Sequence, residues 1–282
     1  MRLAPLTLLF LCLWTQNACA QDTLWIHRGL WTQLPDSVEA LRLNLQSDWS
    51  EINATLAFDS NQEHSIVIVN ADSLVHDWQF DWNELAAISL QPNDTVEFTI
   101  PPLPQGTYRF GLLDEIGSIL GAKGLAQVGL FSHPRFHWNL GEWSMERLEN
   151  ASNGVPVNWE TPYVPEQFTI NERTFPATME DADAFVQMSL GDTCFISIAN
   201  QGWMHHVLHF HGFHVTMISS SHHPERVGWS KDTVPIRRGE AVTVMLVANQ
   251  TGEYPVHNHN LIAVTNAGFY PGGMITHIHV EP

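Results

Sequence analysis

The stretch "HHVLHFHGFHV" (205–215) sets His209 and His211 two positions apart, and "GEYPVHNHN" (252–260) does the same with His257 and His259. Residues i and i+2 share one face of a β-strand. If both stretches are strands and lie side by side, four imidazoles converge within metal-binding reach. Neutral imidazole suits Cu, Zn, Fe and Ni, and the general affinity order favours copper. One His-x-His on a half-buried strand is often polar surface. Two in one domain, flanked by Gly-Phe and Pro-Val rather than by acidic residues, point to chelation. His277 and His279 in "THIHV" form a further same-face pair, readable as polar surface or as an accessory metal site. His205, His222 and His223 are expected on loops as exposed side chains.

Strand signals extend outward from these motifs through most of the chain. "HSIVIVN" (64–70), "DTVEFTI" (94–100), "DTCFISIAN" (192–200) and "AVTVMLVAN" (241–249) are short, rich in β-branched residues, and bounded by Gly, Pro, Asn or Asp. The helical candidate is "DSVEALRLNL" (36–45). A coarse repeat is present: residues 93–110 and 239–256 each read strand, turn, Gly-x-Tyr, strand. The pattern predicts an all-β protein of packed sandwiches. Residues 132–164, rich in Trp, Asn and Pro, are expected to connect two domains.

Residues 1–20 read as a secretory signal peptide, with Arg2, the apolar "LTLLFLCLW" and the small residues "ACA" ending at Ala20. The expected location is periplasmic or secreted. The 282 residues carry 30 acids against 12 basic residues, a formal charge of −18. Removing residues 1–20 takes away Arg2 and no acid. Such a chain repels nucleic acid and anionic membranes, so neither is expected as a partner. Only Cys194 lies beyond the signal segment, which excludes an internal disulfide framework.

Here the motifs gain a family context. "FTINERTFPAT" (168–178), "GDTCFISIANQG" (191–202), "HVLHFHGFHV" (206–215) and "GEYPVHNHNLIAVTNAGFYPGGM" (252–274) resemble the C-terminal cupredoxin domain of multicopper oxidases. "GTYRFGLLDEIGSILGAKGLAQV" (106–128) resembles a degenerate first-domain stretch. The resemblance implies two Greek-key cupredoxin β-sandwich domains. The first, degenerate one spans 21–131, and the second, copper-binding one spans 165–282. It assigns His209, His211, His257 and His259 as metal ligands and copper as the cofactor.

The departures from the family pattern are specific. Between the last two histidines the family has a blue-copper cysteine; here Asn258 stands. The next blue-copper histidine falls at Ala263, so of that site's usual ligands the His206 position is kept. An amide cannot replace the thiolate, and Asn258 is expected to be a hydrogen-bonding core amide. In the first domain, "HDWQFDW" (76–82) keeps His76 but puts Gln79 and Asp81 at ligand positions, and Gly111 and Leu113 replace the second pair. A trinuclear cluster is not supportable within one chain.

The leading expectation is therefore an exported, multicopper-oxidase-like copper protein with a mono- or dinuclear four-histidine centre, of oxidoreductase type and without blue copper. A dioxygen-type or other small molecule is its expected ligand, with Asp81 the nearest candidate acid. The family context adds a homo-oligomer, a trimer with metal near the subunit boundary, in which His76 or Asp81 of a neighbouring chain closes the site. The alternatives are a copper-binding or delivery protein without catalysis and a metal-free cupredoxin scaffold.

Overall fold

A computed structural model describes residues 21–34, 36–82, 85–129 and 132–282. The expected signal peptide at 1–20 lies outside the described residues. Among them, no helix is long and apolar enough to cross a membrane.

Four sheets form two sandwiches. In the first half, strands Val38–Asn44, Thr23–Trp31, His64–Asn70 and Thr95–Ile100 make one sheet. Thr55–Phe58, Lys123–Val128, Gly106–Leu112, His76–Phe80 and Ile88–Leu90 make the other. In the second half a six-stranded sheet runs Gln167–Ile170, Arg135–Trp143, Thr193–Asn200, Ala241–Val247, Val215–Ser220, Ser230–Lys231. It faces a five-stranded sheet of Val186–Ser189, Ile275–Glu281, Gly252–Asn258, His206–Phe210 and Thr233–Ile236. Each half has its own apolar core, one around Trp31, Trp78 and Phe80, the other around Trp138, Phe168 and Phe210. The protein is all-β, as the strand signals predict.

Two local expectations change. Residues 36–45 form strand Val38–Asn44 rather than a helix. Seven antiparallel register pairs with Thr23–Trp31 decide it, since tertiary pairing overrides a weak helical propensity. The short helices lie elsewhere, at Glu115–Leu120, capped by the Asp114 carboxylate, and at Met145–Ser152, capped by Ser144. Within 132–164, expected as a connection, Arg135–Trp143 pairs in parallel with Thr193–Asn200. Leu148, Ala151 and Val157, which follow it, pack into the first core.

The internal repeat has a physical basis. In each copy the chain leaves one sheet and enters the facing one at the glycine, and the tyrosine closes the corner. Tyr108 Oη donates to the Pro104 carbonyl at 2.8 Å, and Tyr254 Oη to the Thr251 carbonyl at 2.7 Å. This is the tyrosine-corner device of Greek-key sandwiches.

The seam between the halves is polar and buried. Arg42 lies 4.5 Å over the Trp31 ring and 5.7 Å from Trp143. The Glu172 carboxylate accepts from Asn53 N and Nδ2 and from Asn139 Nδ2, at 2.9 to 3.2 Å. Gln201 Nε2 donates to the Gly124 carbonyl and to Asn139 Oδ1. Burial pushes the Arg42 guanidinium down to about 10 and the Glu172 carboxyl up. Such groups cost heavily if one partner is removed, so the seam holds the halves in one arrangement.

His76 is a structural group in this fold. It is fully buried, with Nε2 at 2.8 Å from Asp72 and Nδ1 at 3.1 Å from Asp114. Arg28 holds Asp72 from the other side. Burial opposes the imidazolium, but the Asp114 and Asp72 hydrogen bonds and charges outweigh it and push His76 up to about 9. A histidine pKa raised by folding stabilises fully below its ordinary value, and the contribution disappears as pH climbs through the folded value. Urea stability should therefore fall between about pH 6.5 and 9. His76→Gln should flatten that part of the profile and cost about 3 kcal/mol at lower pH. A wild-type profile that stays flat across the window would contradict this clamp.

Candidate metal centre

Strands His206–Phe210 and Gly252–Asn258 are antiparallel neighbours, with His209 opposite His257 and Leu208 opposite Asn258. Leu208, Phe210, Val256 and Asn258 point into the core and are buried. The alternate residues face outward, so His209, His211, His257 and His259 gather on the solvent face. Ring centroids are 4.6 Å apart for His209 and His211, 5.1 Å for His211 and His257, and 5.7 Å for His209 and either His257 or His259. His257 and His259 are 6.4 Å apart and nearly parallel.

Hydrogen bonds orient the rings. His257 Nδ1 lies 3.0 Å from the Asn258 carbonyl, which can only accept, so the ring carries its proton on Nδ1 and presents a lone pair at Nε2. His211 Nε2 is 3.0 Å from that nitrogen and donates to it. His209 Nδ1 is 3.2 Å from Thr233 Oγ1. Burial, then the neighbouring His209 and His257, lower the pKa of His211 and favour its neutral, ligating form. Among the described residues, no three His, Cys, Asp or Glu are placed so that they could hold a metal ion.

The core side of the same strands is closed. Asn258 is fully buried, and its Oδ1 accepts the Asn260 backbone N–H at 2.9 Å. That fixes the amide orientation by its network, so Nδ2 faces His206 Nδ1 at 2.8 Å and Met274 Sδ at 3.3 Å. His206 Nδ1 is thus an acceptor, and its Nε2–H donates to Glu142 Oε2 at 2.8 Å. Glu142 Oε1 accepts from the Met204 backbone N–H at 2.7 Å and from that of Trp203. A Cβ on Gly202 would fall 1.7 Å from this carboxylate, so only glycine fits there. Both ring nitrogens of His206 are occupied, and Ala263 is fully buried with its carbonyl bonded to Met274 N. Cys194 is buried elsewhere, its thiol pushed up to about 12.

The other candidate residues lie apart from the four rings. His76 has both ring nitrogens engaged by Asp72 and Asp114. Gln79 Nε2 donates to the Leu85 carbonyl. Asp81 faces Arg109 at 3.8 Å in a cleft between the halves, where Gly111 and Leu113 also lie. His277 and His279 share the outer face of the five-stranded sheet, opposite Pro255 and Glu253, and His277 Nδ1 is held by the Glu253 carboxylate. His205 and His222 are exposed, and His223 pairs with Glu225. Sequence reasoning missed Glu142, Thr233 and Met274 as partners. Glu142 and His206 stand 64 positions apart, and no local spacing marks them.

Two β-sandwiches carrying paired histidines on one strand couple define a class, the two-domain cupredoxin protein. More particularly, residues 142–271 match the family model for multicopper oxidases. The chain is similar in fold to the blue copper oxidase from Nitrosomonas europaea, at 18% identity and TM-score 0.75, covering 92% of this chain and 85% of that one. It is similar to the multicopper oxidase mgLAC, at 17% identity and TM-score 0.75, over 92% and 85% of the two chains. Copper nitrite reductase from Nitrosomonas europaea gives 15% identity and TM-score 0.72, over 93% of each chain. A search of curated proteins found no match.

Removing the buried amide should be costly. Asn258→Ala leaves the His206 acceptor and the Asn260 donor without a partner, and the expected loss is about 2–3 kcal/mol in a urea titration. A loss below about 0.5 kcal/mol would contradict the closed network.

Proposed function

We propose that this protein is an exported copper protein of oxidoreductase type, with one mono- or dinuclear four-histidine centre and no blue copper. The observation that carries this reading is the 3.0 Å separation of His211 Nε2 and His257 Nε2 on a face shared with His209 and His259. Two nitrogens bound about 2.0–2.1 Å from one ion, at roughly 90–110° to each other, lie roughly 2.8–3.4 Å apart. The donor set fits an imidazole-loving ion, and copper is preferred because the relatives named above are copper proteins. His209, His211, His257 and His259 would hold it.

A copper ion there would supply one-electron chemistry and an open position for a dioxygen-type or other small ligand. The chain's own part is positioning. The Asn258 carbonyl and Thr233 Oγ1 orient two of the rings, and the strand register sets their spacing. The blue centre is excluded from this reading because Asn258, Met274 and Glu142 already satisfy His206 and each other.

Exposure favours a second reading, copper capture and delivery, because His211 and His259 open to solvent and can exchange an ion. Exposed Leu261, Ile262, Phe269 and Tyr270 follow His259, and a neighbouring copy in a trimer would cover them.

The test is a metal count on the full-length chain expressed in copper-supplied cells, beside the His257→Ala, His259→Ala double variant. About one or two coppers per chain, lost in the variant, is the expected outcome, and the copper-loaded protein would then be assayed for dioxygen or peroxide reduction. A copper-free wild-type protein would sink the proposal. Copper without turnover would leave the delivery reading.

A further inference from the structure

Away from the histidine face, the cleft between the two sandwiches gathers three cations. Arg109 comes from strand Gly106–Leu112, Lys123 from strand Lys123–Val128, and Arg238 from the turn before strand Ala241–Val247. The whole chain has 12 basic residues against 30 acids, so this grouping runs against its composition. The cleft holds about 400 Å³ and also presents Gln79, Ser118 and Gln201. That is the size of a small-molecule site.

Each cation is held in place by neighbours that line the same cleft. Arg109 Nε donates to Gln201 Oε1 at 3.1 Å. Gly239, at φ +74°, makes room for the guanidinium, because a Cβ there would lie 2.6 Å from Arg109 Nη1. The Arg238 guanidinium stacks 4.4 Å over the Trp203 ring. Lys123 Nζ donates to the Gln201 carbonyl at 3.0 Å, which uses one of the three donors of an ammonium.

The countercharge nearby is incomplete. Asp81 stands 3.8 Å from Arg109 and its side chain is 57% exposed. Glu142 attracts Lys123, but its carboxylate is committed to His206 and to two backbone N–H groups. Arg109 and Arg238 both repel Lys123; burial and that repulsion push its ammonium down to about 7. Burial also lowers Arg109. Cations crowded in a low-dielectric cleft raise one another's energy, and an anion among them relieves it.

We propose that this cleft is a binding site for a small polyvalent anion that presents several charged oxygens to Arg109, Lys123 and Arg238. Arg109 offers a planar fork suited to two such oxygens, Arg238 closes the rim, and Lys123 supplies a point charge at the floor. Tetrahedral oxyanions and di- or tricarboxylates share this chemistry. The site does not depend on the metal proposal, since none of the four histidines lines it.

The test is calorimetric titration of the purified full-length chain with inorganic phosphate and, separately, citrate, at constant ionic strength and with no metal added. Saturable binding of either anion is expected, and which one binds identifies the oxyanion or the carboxylate class. Arg238→Gln, an exposed position that should leave the fold intact, should weaken binding about tenfold or more. The His257→Ala, His259→Ala variant should bind as wild type does. Because an anion stabilises the Lys123 ammonium, binding at about pH 8 should take up close to one proton, and Lys123→Met should abolish that uptake. No binding of either anion at about 10 mM, or undiminished binding by both Arg238→Gln and Arg109→Gln, would overturn the proposal.

Discussion

The pairing of strands His206–Phe210 and Gly252–Asn258 is the constraint on which the candidate centre depends. Antiparallel register puts His209 across from His257 and Leu208 across from Asn258. With a side-chain period of two, a one-residue slip of either strand would turn its two imidazoles toward the core and its apolar residues toward water. The apolar residues therefore lock the register, and the histidines inherit their spacing from it. Trp138 stacks on Phe210 at 5.6 Å, which ties the pair to the facing sheet.

The two sides of this strand pair solve opposite problems. On the outer face imidazole nitrogens have few partners beyond one another, so an ion can compete for them. Inside, a complete chain of donors and acceptors runs from Asn260 N through Asn258, His206 and Glu142 to the backbone of Trp203 and Met204. Buried polar groups are tolerated when every member is satisfied. Here satisfaction also removes the lone pair of His206 from any metal.

Much of this was legible in the residues. The short β-branched runs "HSIVIVN" and "DTCFISIAN" mark strands that the structure contains, and the repeated Gly-x-Tyr marks two sheet-crossing corners. The same period places the four histidines on one face. Residues 36–45 misled because Leu41, Arg42 and Leu43 are all buried, on both faces of their strand, and lose the alternation a half-exposed strand shows. Glu142 and the Arg109–Lys123–Arg238 cleft escaped for another reason. Their partners come from distant segments, and only the docking of one sandwich on the other brings them together. His76 matches a ligand position only through the resemblance, and its role comes from Asp72 and Asp114, which no motif contains.

The closed amide network also decides what position 258 can tolerate. A cysteine placed at position 258 would meet a histidine whose nitrogen it cannot satisfy as Asn258 does, and would strip the Asn260 N–H of its acceptor. Position 263 would still be a fully buried alanine with no space for a ring. Each single replacement toward a thiolate site thus gives a less stable chain, and a thiolate site there would need several replacements made together. Asn258 acts as a lock: the residue that satisfies His206 and Asn260 is also the one that keeps any other side chain from sharing their pocket.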